Sequence, residues 1–305
     1  MDIRIKTLTP IWTGDVDGKC SKIKETGIIG SLRWWYEALV RGYGGYACDP
    51  SSDENGFKKC ELKEEKFNKA LKSGESAQEA LDAQICPACQ LFGCTGWSRR
   101  FRLEITNNVH ENFDKNKGFE GNFDINIIEL HSVDESQLLL LWQTFYIIGK
   151  YGTIGAKNML KPSKTCKYYD DMGQVEVIWE KSIFGKPNLE KQSVEKIIGE
   201  NKKRINKENN SEWPNLKYFL FSPDESLSAE KFVELQNMNP YSKFIKGDMH
   251  ASPPRANKFA SFKNGKRFWG YTKEDHEMYK KVSEKLKDLG LKNIIIGKEV
   301  IKNEL

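Results

Sequence analysis

The sequence predicts an α+β fold of two modules, each with the element order β-α-β-β-α-β. Three observations carry this: short segments that alternate apolar and polar residues, apolar residues spaced by three and four between them, and a lysine-rich stretch after which the pattern restarts. That order is the ferredoxin-like, or RRM-like, unit, whose open sheet face can serve as an RNA platform. The expected modules span residues 1–181, with a cysteine-containing insertion at about 43–97, and residues 182–305, which open with a linker helix.

In the first module, residues 2–8 alternate Ile3 and Ile5 with polar neighbours, a half-buried strand ended by Thr9-Pro10. Ile28, Leu32, Trp35, Tyr36 and Leu39 then fall at helical spacing from near Thr26-Gly27, and Gly42 closes the helix. After the insertion, Phe101, Leu103 and Ile105 alternate in one strand and Phe123, Ile125 and Ile127 in the next. Asp134-Glu135-Ser136 places capping and acidic chemistry before an apolar helix at 138–148, and Val175, Val177 and Trp179 mark a fourth strand.

Residues 186–210 are polar and lysine-rich, with helix expected over 189–205. Beyond them come a strand at 216–222, a helix at 228–238 capped by Ser226 or Ser228, and two strands at 258–263 and 266–272 around the hairpin signal Asn264-Gly265. A helix over 273–289, stopped by Gly290, and an isoleucine-rich strand at 293–297 complete the repeat.

Of 305 residues, 38% are apolar, enough for one large or two ordinary domains and too many for a disordered chain. No apolar run approaches the roughly 18 residues of a bilayer span. The opening Met-Asp-Ile-Arg-Ile-Lys interleaves charge with isoleucine, unlike a secretory signal, so a cytoplasmic location is expected. Net charge is only +5, but its distribution is uneven: eight bases and one acid lie between Tyr241 and Lys273, whereas acids outnumber bases over residues 49–82. A polyanion would meet one face by preference.

Seven cysteines, three of them within nine residues, suit metal or reduced thiols better than a disulfide framework. Cys86-Pro87-Ala88-Cys89 supplies two ligands from one turn, and Cys48, Cys60, Cys86 and Cys89 form the candidate set for a structural zinc, with Cys94 the substitute. The alternative is that these thiols are small buried hydrophobes. A catalytic zinc is not expected, since no HExxH or HxE…CxxC arrangement accompanies them.

Glycines cluster at 27–30 and at 149–155, and neither cluster is a Walker A loop. A glycine-bearing turn at a helix N terminus exposes backbone N–H groups suited to phosphate, with Ser31 and Arg33 close behind the first cluster and Lys150 and Lys157 in the second. Ordinary packing is the better explanation for either cluster alone, and the bases beside both favour phosphate. Alternation puts Arg100 and Arg102 on the strand face opposite Phe101 and Leu103, lining a groove or coating solvent. Phe259, Phe262, Phe268, Trp269 and Tyr271 are either core or base-stacking residues, with core preferred. The four histidines have no partner spacing, and Asp15 and Asp17 read as a solvated loop pair, so catalysis finds little support.

Several strings carry more than spacing. Leu8 to Gly14, Glu25 to Glu37, Gly44 to Pro50 and Cys86 to Phe101 resemble the family of first subunits of the type III-B (Cmr) CRISPR effector, in the RAMP superfamily; Ile154-Gly155-Ala156-Lys157 and Arg255 to Ser261 resemble it more loosely. The resemblance implies two ferredoxin-like modules in an antiviral complex that carries a guide RNA (crRNA) and recognises complementary RNA, with this subunit toward the guide 3′ end and cleavage assigned to another subunit. After Lys157 the family continues with an arginine-rich Gly-Phe-Gly segment, whereas this chain reads Asn158-Met159-Leu160-Lys161-Pro162-Ser163.

The expected function is therefore a non-catalytic RNA-binding subunit, with guide and target RNA and the other effector subunits as partners and no membrane. Its expected phosphate contacts are Lys24, a helix N terminus at Gly30, Ser31 and Arg33, then Arg99, Arg100, Lys157, Lys161 and Arg255. The rival readings are a RAMP-superfamily endoribonuclease that processes guide precursors through a loop aspartate or histidine, and a structural cap that barely touches RNA.

Overall fold

The computed structural model describes residues 1–50, 59–106, 113–114, 118–157, 171–178, 191–247, 257–264 and 266–305. The first sheet is formed by β1 (Asp2–Thr7), β2 (Phe101–Thr106), β5 (Asn122–Glu129) and β6 (Val175–Ile178), in the order β2-β5-β1-β6 with every pairing antiparallel. Between β2 and β5 the short strands β3 (Phe113–Asp114) and β4 (Gly118–Phe119) pair with each other. The second sheet holds β7 (Phe219–Ser222), β8 (Phe259–Phe262), β9 (Arg267–Tyr271) and β10 (Ile295–Ile296), in the order β10-β7-β9-β8. Counted within each module, both orders are fourth-first-third-second, the ferredoxin-like topology in both halves.

The helices are α1 (Glu25–Gly42), the insertion helices α2 (Glu64–Lys72), α3 (Ala77–Asp82) and α4 (Pro87–Phe92), α5 (Glu135–Lys150), the connecting α6 (Lys191–Ile205), α7 (Ala229–Gln236), α8 (Ser242–Lys246), α9 (His276–Asp288) and α10 (Gly297–Asn303). No helix among the described residues is long and apolar enough to cross a membrane.

Period-two alternation sets the first sheet. Ile3 and Ile5, Phe101 and Leu103, and Phe123, Ile125 and Ile127 are buried on one face, while Arg4 with Asp124, Lys6 with Glu176 and Arg102 with Glu104 pair on the other. That outer face has no aromatic side chain among the described residues of its strands, so it lacks a base-stacking platform. Capping follows the sequence: Asp134 accepts from Ser136 N at 2.8 Å to start α5, and Asp275 accepts from Glu277 N and Met278 N to start α9. Gly290, at φ +101°, ends α9. Gly265 of the hairpin signal, and Trp179 of the fourth strand, lie outside the described residues.

The second sheet is covered on both faces. Leu220, Phe259 and Phe268 pack under α7 and α9 with Phe232, Met278 and Val282. Phe219, Phe221, Phe262, Trp269 and Tyr271 face the first module, and Trp35 of α1 sits among them, 5.4 Å from Phe219 and 5.3 Å from Trp269 between ring centroids. The five aromatics weighed as stacking residues are core, each no more than 5% exposed. Helix α6 also crosses back, burying Val194, Ile198 and Asn201 against the insertion, where the Asn201 amide donates to Ile85 O and Asp82.

The short α10 was not legible in the sequence. It follows β10 directly and docks on α5: Gln143 Nε2 donates to Leu305 O at 3.0 Å, and the Glu304 carboxylate accepts from Tyr151, Tyr146 and Lys150 at 2.6–2.9 Å. Burial opposes ionisation of Glu304, but these donors outweigh it and hold its carboxyl below the usual range. A depressed carboxyl stabilises the fold above its unfolded pKa and loses that contribution as pH falls through the folded value. Glu304→Gln should accordingly flatten the fall in Tm below about pH 4.3, read by thermal melts across the acid range.

Candidate functional site

The loop after β1 is tied to three other segments by backbone bonds. Ile11 and Phe119 exchange N–H···O bonds at 2.9 Å, Gly173 N donates to Pro10 O at 2.8 Å, Ile154 N to Gly173 O at 2.7 Å, and Ala156 N to Trp12 O at 2.9 Å. Gly155 makes the last of these possible: its φ is +108°, and a Cβ there would lie 3.0 Å from Trp12 O. Gly155→Ala should cost at least about 1 kcal/mol in a denaturant titration, because both the conformation and the approach resist a side chain.

Thr13 joins this loop to α1. Its hydroxyl donates to Lys22 O and accepts from Lys24 N, both at 3.0 Å, and Gly27 lets the first turn of α1 lie against the Thr13 side chain. Lys24 pairs with Asp15, and that ammonium together with Ser21 holds the Asp15 carboxyl well below its usual range. On the other side Lys157 lies 3.6 Å above the Trp12 ring centroid. Two cations therefore border the Trp12–Asp15 loop at one end of the first module.

The other expected phosphate contacts are placed differently. Helix α1 begins at Glu25, so Gly30, Ser31 and Arg33 lie in its second and third turns and not at its N terminus; their amides belong to the helical ladder. Arg33 turns inward. Its Nε donates to Glu37 at 2.8 Å, one terminal nitrogen to Gly93 O at 2.9 Å and the other to Cys89 Sγ at 3.2 Å. Arg99 and Arg100 stand at the start of β2, at the opposite end of the sheet from Lys24: Arg99 Nε donates to Phe101 O, while Arg100 donates to Ser132 O and covers the Trp97 ring. Lys161 and Arg255 lie outside the described residues, as do His110 and His250.

The cysteines converge. Cys48 follows α1, held because the Arg41 guanidinium donates to the Ala47 and Cys48 carbonyls; Cys86 caps α4, Pro87 opens it and Cys89 lies one turn on. The Sγ atoms of Cys48, Cys60, Cys86 and Cys89 all lie within 4.8 Å of one another and all four residues are buried, a group that could hold a metal ion. Cys48 is 3.4 Å from Cys89 and 3.9 Å from Cys86. Half-buried Cys94 stands outside this group. Hydrogen bonds from the other three push the Cys48 thiol down, while burial holds Cys86 up.

Arg33, Glu37 and Arg41 were the residues whose place the sequence did not show as a set. They repeat every four positions on α1, and Glu37 joins the two guanidiniums. Burial lifts the Glu37 carboxyl to about 7 against the pull of Arg41 and Arg33. The spacing was readable; that all three face inward was not.

A RAMP superfamily family model matches residues 4–297. The chain belongs to the RAMP superfamily. No curated protein matches it. Among solved structures, the crystal structure of Cmr1 from Pyrococcus furiosus in its apo form is similar, at 13% identity and a TM-score of 0.40, covering 89% of this RAMP chain and 87% of that one.

Proposed function

We propose that this RAMP protein is a non-catalytic, cytoplasmic RNA-binding subunit of a type III-B RNA-guided effector, contacting the guide and its target near the guide 3′ end beside other subunits of the complex. The observation that carries the reading is the junction at the Trp12–Asp15 loop, where a glycine-bearing turn brings Lys157 to one side and the start of α1 brings Lys24 to the other. Superfamily membership and the strings at residues 8–14, 25–37 and 86–101 support it. Lys24 and Lys157 then hold phosphates, and guide pairing reads sequence. Arg99 and Arg100 form a second contact at the far end of the sheet, and Lys161 and Arg255, outside the described residues, remain contacts proposed from the sequence alone. Arg33, turned into the cysteine cluster, acts there and not on RNA.

Strand scission has no constellation to use among the described residues: Asp15 is committed to Lys24 and Ser21 N, and His131 and His276 are exposed and distant in sequence. A gel shift of labelled single-stranded RNA against a duplex of equal length, with and without chelator, tests the proposal. The expected result is retention of the single strand, weak retention of the duplex and intact RNA. Cleaved repeat RNA would favour the ribonuclease, and no retention together with purely protein crosslinks in the assembled particle would favour a scaffold.

A further inference from the structure

We propose that Cys48, Cys60, Cys86 and Cys89 bind one zinc ion as a closed tetrathiolate centre, and that Arg33 is its charge-compensating partner. The inference is independent of the RNA reading. A tetrahedron with Zn–S bonds of about 2.3 Å has S···S edges of about 3.8 Å. Two of the cluster's separations, 3.4 Å for Cys48–Cys89 and 3.9 Å for Cys48–Cys86, bracket that edge, and no pair exceeds 4.8 Å. A disulfide needs sulfurs about 2.05 Å apart, and none of these pairs is joined.

The surroundings match a thiolate centre better than a patch of apolar thiols. Cys86 N–H points at Cys60 Sγ at 3.4 Å, the backbone donor that a coordinated sulfur accepts. Arg33 aims a guanidinium nitrogen at Cys89 Sγ at 3.2 Å, a use of a charged donor that a neutral, buried thiol does not call for. Four thiolates around a divalent ion carry a net charge of −2. Arg33 and Arg41 lie on the α1 side of the cluster with Glu37 between them, so one helix face supplies the nearest positive charge.

The position of the four ligands also says what the ion does. All four are buried, and four thiolates fill a tetrahedral zinc without leaving a place for water or substrate, so the site is structural and not catalytic. Its ligands come from the chain after α1, from the segment before α2 and from α4, so one ion would hold both ends of the insertion against the helix that carries Trp35.

The test is metal analysis of the full-length protein, purified with reductant and washed with chelator. One zinc per chain is expected, and cobalt(II) exchange should give intense visible bands of tetrahedral cobalt with thiolate charge transfer in the near ultraviolet. Cys94→Ser should keep the metal and the spectrum; Cys89→Ser should lose them. Arg33→Met should still bind one zinc but with an affinity about 10- to 100-fold weaker against a competing chelator, and Arg33→Lys should recover part of that loss. A reduced wild-type chain without metal, an iron–sulfur spectrum, or an Arg33→Met protein that holds zinc as tightly as wild type would overturn the proposal. The first and second of these readouts need no variant to fold.

Discussion

Trp35→Ala should lower stability by about 4 kcal/mol, a large part of the roughly 5–15 kcal/mol that a domain has in total. The side chain is 2% exposed and packs between the two modules, against Phe219 and Trp269. Its indole also donates to Thr153 O at 2.9 Å, so truncation leaves a cavity and a buried carbonyl without its donor. Gly152 packs under the same ring, where a Cβ would approach Trp35 to 2.6 Å, so the cavity opens beside the turn that carries Lys157. Denaturant midpoints of the two proteins check this, and a loss below about 1.5 kcal/mol would show that the modules do not share this core. For comparison, the exposed Lys6–Glu176 pair on the outer sheet face should contribute less than about 1 kcal/mol.

Arg267→Met should cost about 3 kcal/mol or more despite its similar volume. Arg267 lies on β9 of the second module, 6% exposed, and its guanidinium donates to Gly152 O at 2.8 Å, Gly149 O at 3.0 Å and Ile148 O at 3.4 Å. Ile148 and Gly149 carry carbonyls in the last turn of α5 of the first module, groups a helix leaves unpaired, and Gly152 lies just past its end. Burial pulls the guanidinium down to about 10, still charged at neutral pH, where it complements the negative end of the helix. A methionine fills the space and donates nothing, so two or three buried carbonyls lose their partner at about 1–3 kcal/mol each. Urea unfolding reads the cost, and an unchanged midpoint would mean that water replaces the arginine there.

Strands and helices with a repeating apolar face were legible because burial on one side writes a period into the chain. Ile3 and Ile5 in β1, or Val194 and Ile198 in α6, reflect only their own element's exposure. The residues that join elements carry no such signature. Trp34 and Trp35 are adjacent on α1, yet what covers them is a sheet nearly 200 residues later in the chain. Arg267 reads as one more base in a basic stretch, and only the fold turns it onto a helix end. Helix α10 is seven residues long and half polar, too short for a period to show, and it is fixed by Gln143 and Tyr151 of the other module. For the candidate site, the spacing of Cys86 and Cys89 identified a turn that delivers two sulfurs, and the structure brings Cys48 and Cys60 to them. Arg33 stands among the expected RNA contacts because Gly30 and Ser31 are treated as a helix N terminus, although the apolar spacing already starts the helix near Thr26-Gly27 and the structure starts it at Glu25.

The most direct measurement of the central claim is the salt dependence of single-stranded RNA binding by the wild-type chain and by Lys24→Ala/Lys157→Ala. If both ammonium groups hold phosphates, the slope of log K against log salt should become shallower by about 1.4, that is 0.7 for each lost contact, and affinity should fall alike for RNAs of unrelated sequence. An unchanged slope, or a loss confined to one RNA sequence, would contradict a phosphate contact at the Trp12–Asp15 junction.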